Sequence, residues 1–222
     1  MPVLRDLQIP ATVFVVADAS TGGEPFWWDH PAVRAVATPQ RRRAWLAEFR
    51  GDGASILRSL APTLDSALPS CRKPAEWGTI AQAAHGGLAI GAHSRTHRAL
   101  PTLSDVELRD ELVTSREIIA RETGTAPEFF AYPYGAWNPR VREAVRSAGY
   151  RGAVTLDYGL NERGRDPLAL RRVNVPAGIS DAALAAWLAG LKPRLPVARR
   201  SDPVIETREI AHSQAPVRWK RA

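Results

Sequence analysis

Cysteine occurs once in this chain, at Cys71, so no disulfide can close within it and the residue gives no sign of an oxidising compartment. Long apolar runs are absent: nothing approaches the roughly 20 residues that cross a bilayer, and no transmembrane segment is expected. The opening residues Met1-Pro2-Val3-Leu4-Arg5-Asp6-Leu7 lack the basic, apolar and small-residue zones of a secretory leader. The cytoplasm is therefore the default expectation for its location. Internal repeats and low-complexity stretches are missing from the body of the chain. What is present is 45% hydrophobic residues in a length of 222, enough for one large domain with a sizeable core, or one domain with a tail.

The formal charge of +7 raises the possibility of a nucleic-acid partner, but its distribution speaks against one. From Lys192 to Ala222 there are eight basic residues and three acids, so +5 of the +7 sits there and +2 is left for everything before it. That stretch also carries Pro193, Pro196, Pro203 and Pro216 and keeps no period. Residues 192–222 are expected to form a flexible basic tail, residues 1–191 the domain, and nucleic acid is not an expected partner.

Within the domain, short apolar runs alternate with helical patterns, the mark of a parallel α/β architecture. Val3, Leu4 and Leu7 suit one face of a short helix, stopped before Pro10. Ala11 to Val16 reads as a strand, Lys73 to His85 as a helix, and Leu88 to Ile90 as the next strand. Ser104-Asp105-Val106-Glu107 is a capping box that opens a helix with Leu108, Leu112 and Ile119 inward. Phe129 to Tyr132 is a further strand. Asn138-Pro139 caps a helix that turns Val141, Val145 and Ala148 to the core. Ala153 to Leu156 and Arg172 to Val175 are the remaining strands, and Ser180 to Leu191 a closing helix. Residues 21 to 72 form a largely helical insertion rich in tryptophan (Trp27, Trp28, Trp45).

Histidine is scarce, with five in the chain, yet two stand four apart in Ile90-Gly91-Ala92-His93-Ser94-Arg95-Thr96-His97, directly after an apolar strand. Neutral imidazole is a favoured ligand for zinc and related ions, and strand ends are where parallel α/β folds collect their chemistry. His93 and His97 are candidate metal ligands; two ordinary histidines on a helix, exposed or packed, are the alternative. Ser94 and Thr96 suit a tight loop whose side chains bond the backbone. A second group, Ala131-Tyr132-Pro133-Tyr134-Gly135, sets a φ-locked proline beside a permissive glycine and so aims the Tyr134 N–H at one point. Such a donor suits a developing oxyanion; an ordinary strand-to-helix turn has the same composition.

Taken in order, these pieces resemble the polysaccharide deacetylase family, the NodB-homology group of carbohydrate esterase family 4. The matching stretches are Ile9-Pro10-Ala11-Thr12-Val13-Phe14, the run from Ile90 to His97, Ala131-Tyr132-Pro133-Tyr134-Gly135, and Val145-Arg146-Ser147-Ala148-Gly149-Tyr150. Phe26-Trp27-Trp28-Asp29 is similar to an insertion in exopolysaccharide-associated members. The resemblance covers roughly residues 1 to 176. It implies a distorted (β/α) barrel and a metal-dependent hydrolase that removes acetyl groups from N-acetylated sugars of a polysaccharide or oligosaccharide. It also implies a divalent metal, zinc being the expected ion, on His93 and His97, with the Tyr134 N–H as oxyanion donor. Pro133, Trp27 and Trp28 are the expected substrate contacts.

The chain departs from the family pattern in three places. The Phe-Asp-Asp-Gly-like motif of the first strand, source of the third ligand and the general base, has no counterpart before Ile9. The first strand is therefore expected to be missing, with Met1 an internal methionine of a longer frame. Asp18, after the second strand, is the nearest substitute; Asp29 and Asp6 are weaker ones. Near the last strand, Leu170-Arg171-Arg172-Val173-Asn174-Val175 lacks the Leu-x-His that supplies a general acid in many members. Glu128, Phe129 and Phe130 stand where many members carry an arginine. Beside the hydrolase, these gaps leave open a catalytically inactive carbohydrate- or metal-binding relic.

Overall fold

A computed structural model of the chain describes residues 2–22, 26–60, 73–175 and 178–189. The first helix, α1 (Pro2–Asp6), leads into strand β1 (Thr12–Val15); β2 (Ala89–Ala92), β3 (Phe129–Ala131), β4 (Gly152–Tyr158) and β5 (Leu170–Arg172) follow. Every pairing is parallel and the order is β1-β2-β3-β4-β5. That order follows from the chain: the crossovers into β2, β3 and β4 carry α-helices, that into β5 only a 3-10 turn (Pro167–Ala169), and successive strands are placed side by side. The class is α/β, as expected. Among the described residues the order is linear, with β1 and β5 each bonded to one neighbour, and closure into a barrel is not part of it.

The helices on this sheet are α6 (Trp77–His85), α7 (Asp105–Thr123) and α8 (Pro139–Ser147), with α9 (Asp181–Leu188) near the end of the described chain. Helix α7 begins with the expected capping box, Ser104 and Glu107 exchanging hydrogen bonds, and ends at Gly124 in the left-handed region. Asn138 caps α8 by accepting from the Val141 N–H at 2.8 Å. Leu108, Leu112, Ile119, Val141 and Val145 are fully buried against Phe130, Tyr132 and Ala153 of the sheet. Close approach explains Gly91: a Cβ there would lie 2.5 Å from the ring of Phe14, its partner on β1, so only glycine lets the two strands pair with that ring over this position.

The insertion is helical where described. A short 3-10 turn (Trp27–Asp29) follows α2 (Ala19–Gly22), then α3 (Pro31–Val36), α4 (Pro39–Glu48) and α5 (Gly53–Ser59). Trp27, Val33, Trp45, Leu46 and Ile56 form a second core of their own. Some expected boundaries shift. Helix α6 starts at Trp77 rather than Lys73, with Glu76 in extended geometry as its N-cap. Strand β5 lies at Leu170–Arg172 rather than 172–175, where Thr155 donates to the Leu170 carbonyl and Arg172 Nε donates back to Thr155 O at 2.6 Å. Val3 and Leu7, read as one face of α1, are largely exposed. The tail at 192–222, the segment 61–72 and Cys71 lie outside the described residues.

Truncating the core should cost far more than truncating the surface of the same helix. Leu112→Ala is expected to destabilise by about 2–5 kcal/mol, and Val106→Ala, on the exposed side of α7, by less than about 0.5 kcal/mol. Urea unfolding of both variants checks the assignment of the buried face.

Candidate functional site

The site grows from the ends of β1, β2 and β3. Beyond Ala92 the chain stays bonded to the segment after β1: the His93 N–H donates to Val15 O (2.8 Å), Ala17 to Ser94 O (3.2 Å) and Asp18 to Arg95 O (3.0 Å). Between the two histidines it turns sharply. Ser94 (φ 63°) and His97 (φ 64°) are both left-handed, a conformation that is uncommon for non-glycine residues. The buried Ser94 hydroxyl accepts from the His97 N–H at 2.9 Å and closes the turn. Thr96 behaves differently, sending its hydroxyl to Glu111 instead.

This turn sets the imidazoles face to edge, with Nε2 of His93 3.1 Å from Nε2 of His97. His93 Nδ1 lies 2.7 Å from the Ala131 carbonyl, which can only accept, so Nδ1 carries the proton and Nε2 keeps its lone pair. Burial lowers the His93 pKa to about 4, against a raising bond to Ala131, with the Arg172 charge lowering it further. His97 is pushed well below its ordinary value, by burial first and the neighbouring His93 second. Both rings are neutral at pH 7, the form that binds metals. Zinc–nitrogen bonds of about 2.0–2.1 Å at a tetrahedral angle would set two nitrogens about 3.3 Å apart. The pair fits two corners of such a site. His97 Nδ1 is buried without a hydrogen-bond partner among the described residues, so the partner that fixes the His93 tautomer has no equivalent at His97.

Aromatic rings wall the pair. His97 packs against Trp28 and Tyr134, each at 4.6 Å between centroids, and Trp28 stacks on Phe26 at 4.6 Å. Trp27 is packed into the core of the insertion, 6% exposed, and donates its indole N–H to the Tyr134 hydroxyl at 3.2 Å. Tyr134 is itself left-handed (φ 58°), so the turn is tighter than its Pro-Tyr-Gly composition alone suggests. Gly135 and Ala136 donate back to Tyr132 and Pro133, and among the described backbone bonds none takes the Tyr134 N–H. A Cβ on Gly135 would sit 2.5 Å from Leu156, which makes glycine obligatory beneath the turn. Pro133 is fully buried. Its contribution is to fix the turn.

Two carboxylates that the sequence did not place at the site hold this assembly from α7. Glu111 is 3% exposed and accepts from the Arg95 N–H (3.0 Å), the Thr96 N–H (2.9 Å) and the Thr96 hydroxyl. Glu107 bonds Arg98, just past His97, at 3.0 Å and also Arg50 of the insertion, whose carbonyl receives the Ala99 N–H at 3.0 Å. Glu107 was visible in the sequence as part of a capping box. Glu111 had only its helical spacing from Leu108 and Leu112, which placed it at the edge of the inward face.

The acids considered as substitutes for the third ligand sit elsewhere. Asp18 accepts from Arg95 Nε at 2.9 Å, and Asp6 lies against Arg5 at the surface. No group of three His, Cys, Asp or Glu side chains able to hold a metal occurs among the described residues, so neither Asp18 nor Asp29 completes a set with the histidines. No helix among them is long and apolar enough to cross a membrane.

A parallel α/β sheet with a histidine pair beyond its second described strand is an arrangement suited to binding a ligand or a metal at strand ends. Residues 1–153 match the family model described as polysaccharide deacetylase, and the chain belongs to that family, the NodB and carbohydrate esterase 4 group. It is 28% identical over 109 residues to YxkH of Bacillus subtilis, named provisionally as a polysaccharide deacetylase. That match covers 49% of this chain and 39% of YxkH. In fold it is similar to a de-N-acetylase from Aggregatibacter actinomycetemcomitans (TM-score 0.53, 16% identity, covering 84% of this chain and 68% of that one). It is similar also to the deacetylase domain of BpsB from Bordetella bronchiseptica (TM-score 0.53, 18% identity, 78% and 63%).

Glu107 makes the stability of this assembly pH-dependent. Bonds from the Ser104 hydroxyl and N–H, then from Arg50 and Arg98, hold its carboxyl at about 2, below the ordinary 4.5. A depressed folded-state value means stabilisation that is complete above pH 4.5 and is lost as pH falls toward 2. Glu107→Gln should lower the urea midpoint at pH 7 and flatten that part of the stability–pH curve, measured as urea midpoints between pH 7 and pH 3.

Proposed function

We propose that the chain is a metal-dependent hydrolase that removes N-acetyl groups from amino sugars of a polysaccharide or oligosaccharide. His93 and His97 would hold a divalent ion, zinc on ligand preference. The observation that carries this is the pair of buried neutral imidazoles with Nε2 atoms 3.1 Å apart at the strand ends. Family membership and the de-N-acetylase named among its fold neighbours support it.

An ion bound there would polarise the acetamide carbonyl and lower the pKa of a bound water. The chain's own residues do the rest. The Tyr134 N–H, presented by a left-handed turn, donates to the carbonyl oxygen as negative charge develops on it. Pro133 locks that turn, and Trp27 holds the Tyr134 ring from behind. Trp28, half-buried and stacked on Phe26, is the tryptophan placed to meet a sugar ring. We place the missing ligand and the general base on a further strand against β1, completing a barrel-like sheet. In support, β1 has only β2 beside it among the described residues, and Val13 is 46% exposed.

A second possibility, a relic that binds sugar or metal without turnover, is favoured by the lack of a third ligand among the described residues. Acetate release from N-acetylglucosamine oligomers, by protein stripped with chelator and then reloaded with zinc, separates the two. The hydrolase predicts release that zinc restores and that His93→Ala and His97→Ala abolish. Zinc and oligomer binding without acetate favours the relic. Release indifferent to chelator and to both variants overturns the metal assignment.

A further inference from the structure

We infer that Glu111 is the positioning residue that gives the His93–His97 loop its metal-binding shape, an inference that rests on the assignment of those histidines as ligands. Its carboxylate touches neither ring. It acts on the backbone between them, where the Arg95 and Thr96 N–H groups converge on one oxygen, Oε2, while the Thr96 hydroxyl meets Oε1.

Consecutive N–H groups beside a left-handed residue form a concave nest that favours an anion. Ser94 and His97 are the left-handed residues flanking Arg95 and Thr96, so the loop has the form of a nest, and the anion in it belongs to the protein. The position is nearly sealed, with Glu111 3% exposed. Water is therefore a poor substitute, and without the carboxylate the two N–H groups would gain partners only if the loop unwound. Unwinding changes φ at Ser94 and His97, and with it the 3.1 Å separation of the Nε2 atoms. The carboxylates of Asp18 and Asp110 cannot take over, since both are engaged by the Arg95 side chain and neither accepts from the loop N–H groups.

The geometry also predicts which substitution is tolerated. One oxygen takes both backbone donors, so the single amide oxygen of glutamine can replace it, and the glutamine NH2 can donate to the Thr96 hydroxyl. Alanine removes every acceptor.

The test uses the full chain as wild type, Glu111→Gln, Glu111→Ala and Thr96→Val, with two readouts: amide hydrogen exchange at Arg95 and Thr96 without metal, and cobalt(II) titration followed by its absorption bands. In Glu111→Ala, exchange at both amides should quicken and cobalt affinity should fall about 10–100-fold. Glu111→Gln should keep both amides protected and hold affinity within about 3-fold of wild type. A folded Glu111→Ala with native exchange and native affinity overturns the inference, as does a Gln variant no better than Ala. Should the Ala variant not fold, Thr96→Val replaces it. Losing one donor from an exposed side chain, it should weaken cobalt binding about 3-fold, and unchanged affinity overturns the inference. Wild type that binds no cobalt refutes the ligand assignment, and amide exchange then still decides whether Glu111 holds the loop.

Discussion

The hydrogen bond from His93 Nδ1 to the Ala131 carbonyl joins the sheet to its chemistry. At 2.7 Å it requires β3 to lie beside β2, where the parallel register puts it, and it fixes the tautomer that leaves Nε2 as a lone pair. Burial then keeps the ring neutral. A fold that placed another element beside β2 would bury the same imidazole with an unsatisfied proton, a cost of about 1–3 kcal/mol. Strand order and ligand chemistry are thus one constraint seen at two scales.

His97 is held by different means. Its ring is set by packing, between Trp28 and Tyr134, and its backbone by the left-handed turn that α7 braces. The insertion therefore belongs to the site as much as the sheet does. Trp27 ties its core to Tyr134, and Arg50 shares the Glu107 carboxylate with Arg98. Ser94, His97 and Tyr134, all non-glycine residues with positive φ, lie together here. Backbone strain of that kind persists only where the surroundings over-determine it.

Much of this was legible in the chain. The capping box, the Asn138 cap, the inward faces of α7 and α8 and the parallel class all follow from local spacing, because caps and helical periodicity are short-range properties. The histidine pair and the Pro-Tyr-Gly turn were legible as candidates. What local pattern does not encode is pairing across the fold. Glu111 reads as one acid in a mixed helix until the loop folds onto it. Asp18 reads as the nearest substitute ligand until Arg95, 77 positions away, reaches it. Trp27 and Trp28 are neighbours with one composition and two fates, the first in the core of the insertion and the second against His97. Strand ends were the least legible, since β4 and β5 pair through a register shift that no single strand announces.

X-ray absorption at the zinc edge of the metal-loaded chain is the most direct measurement of the central claim, that His93 and His97 hold a metal through Nε2. Two imidazole scatterers are expected at about 2.0–2.1 Å, both lost in the His93→Ala, His97→Ala double variant. A first shell without imidazole, or a spectrum that the double variant leaves unchanged, would contradict it.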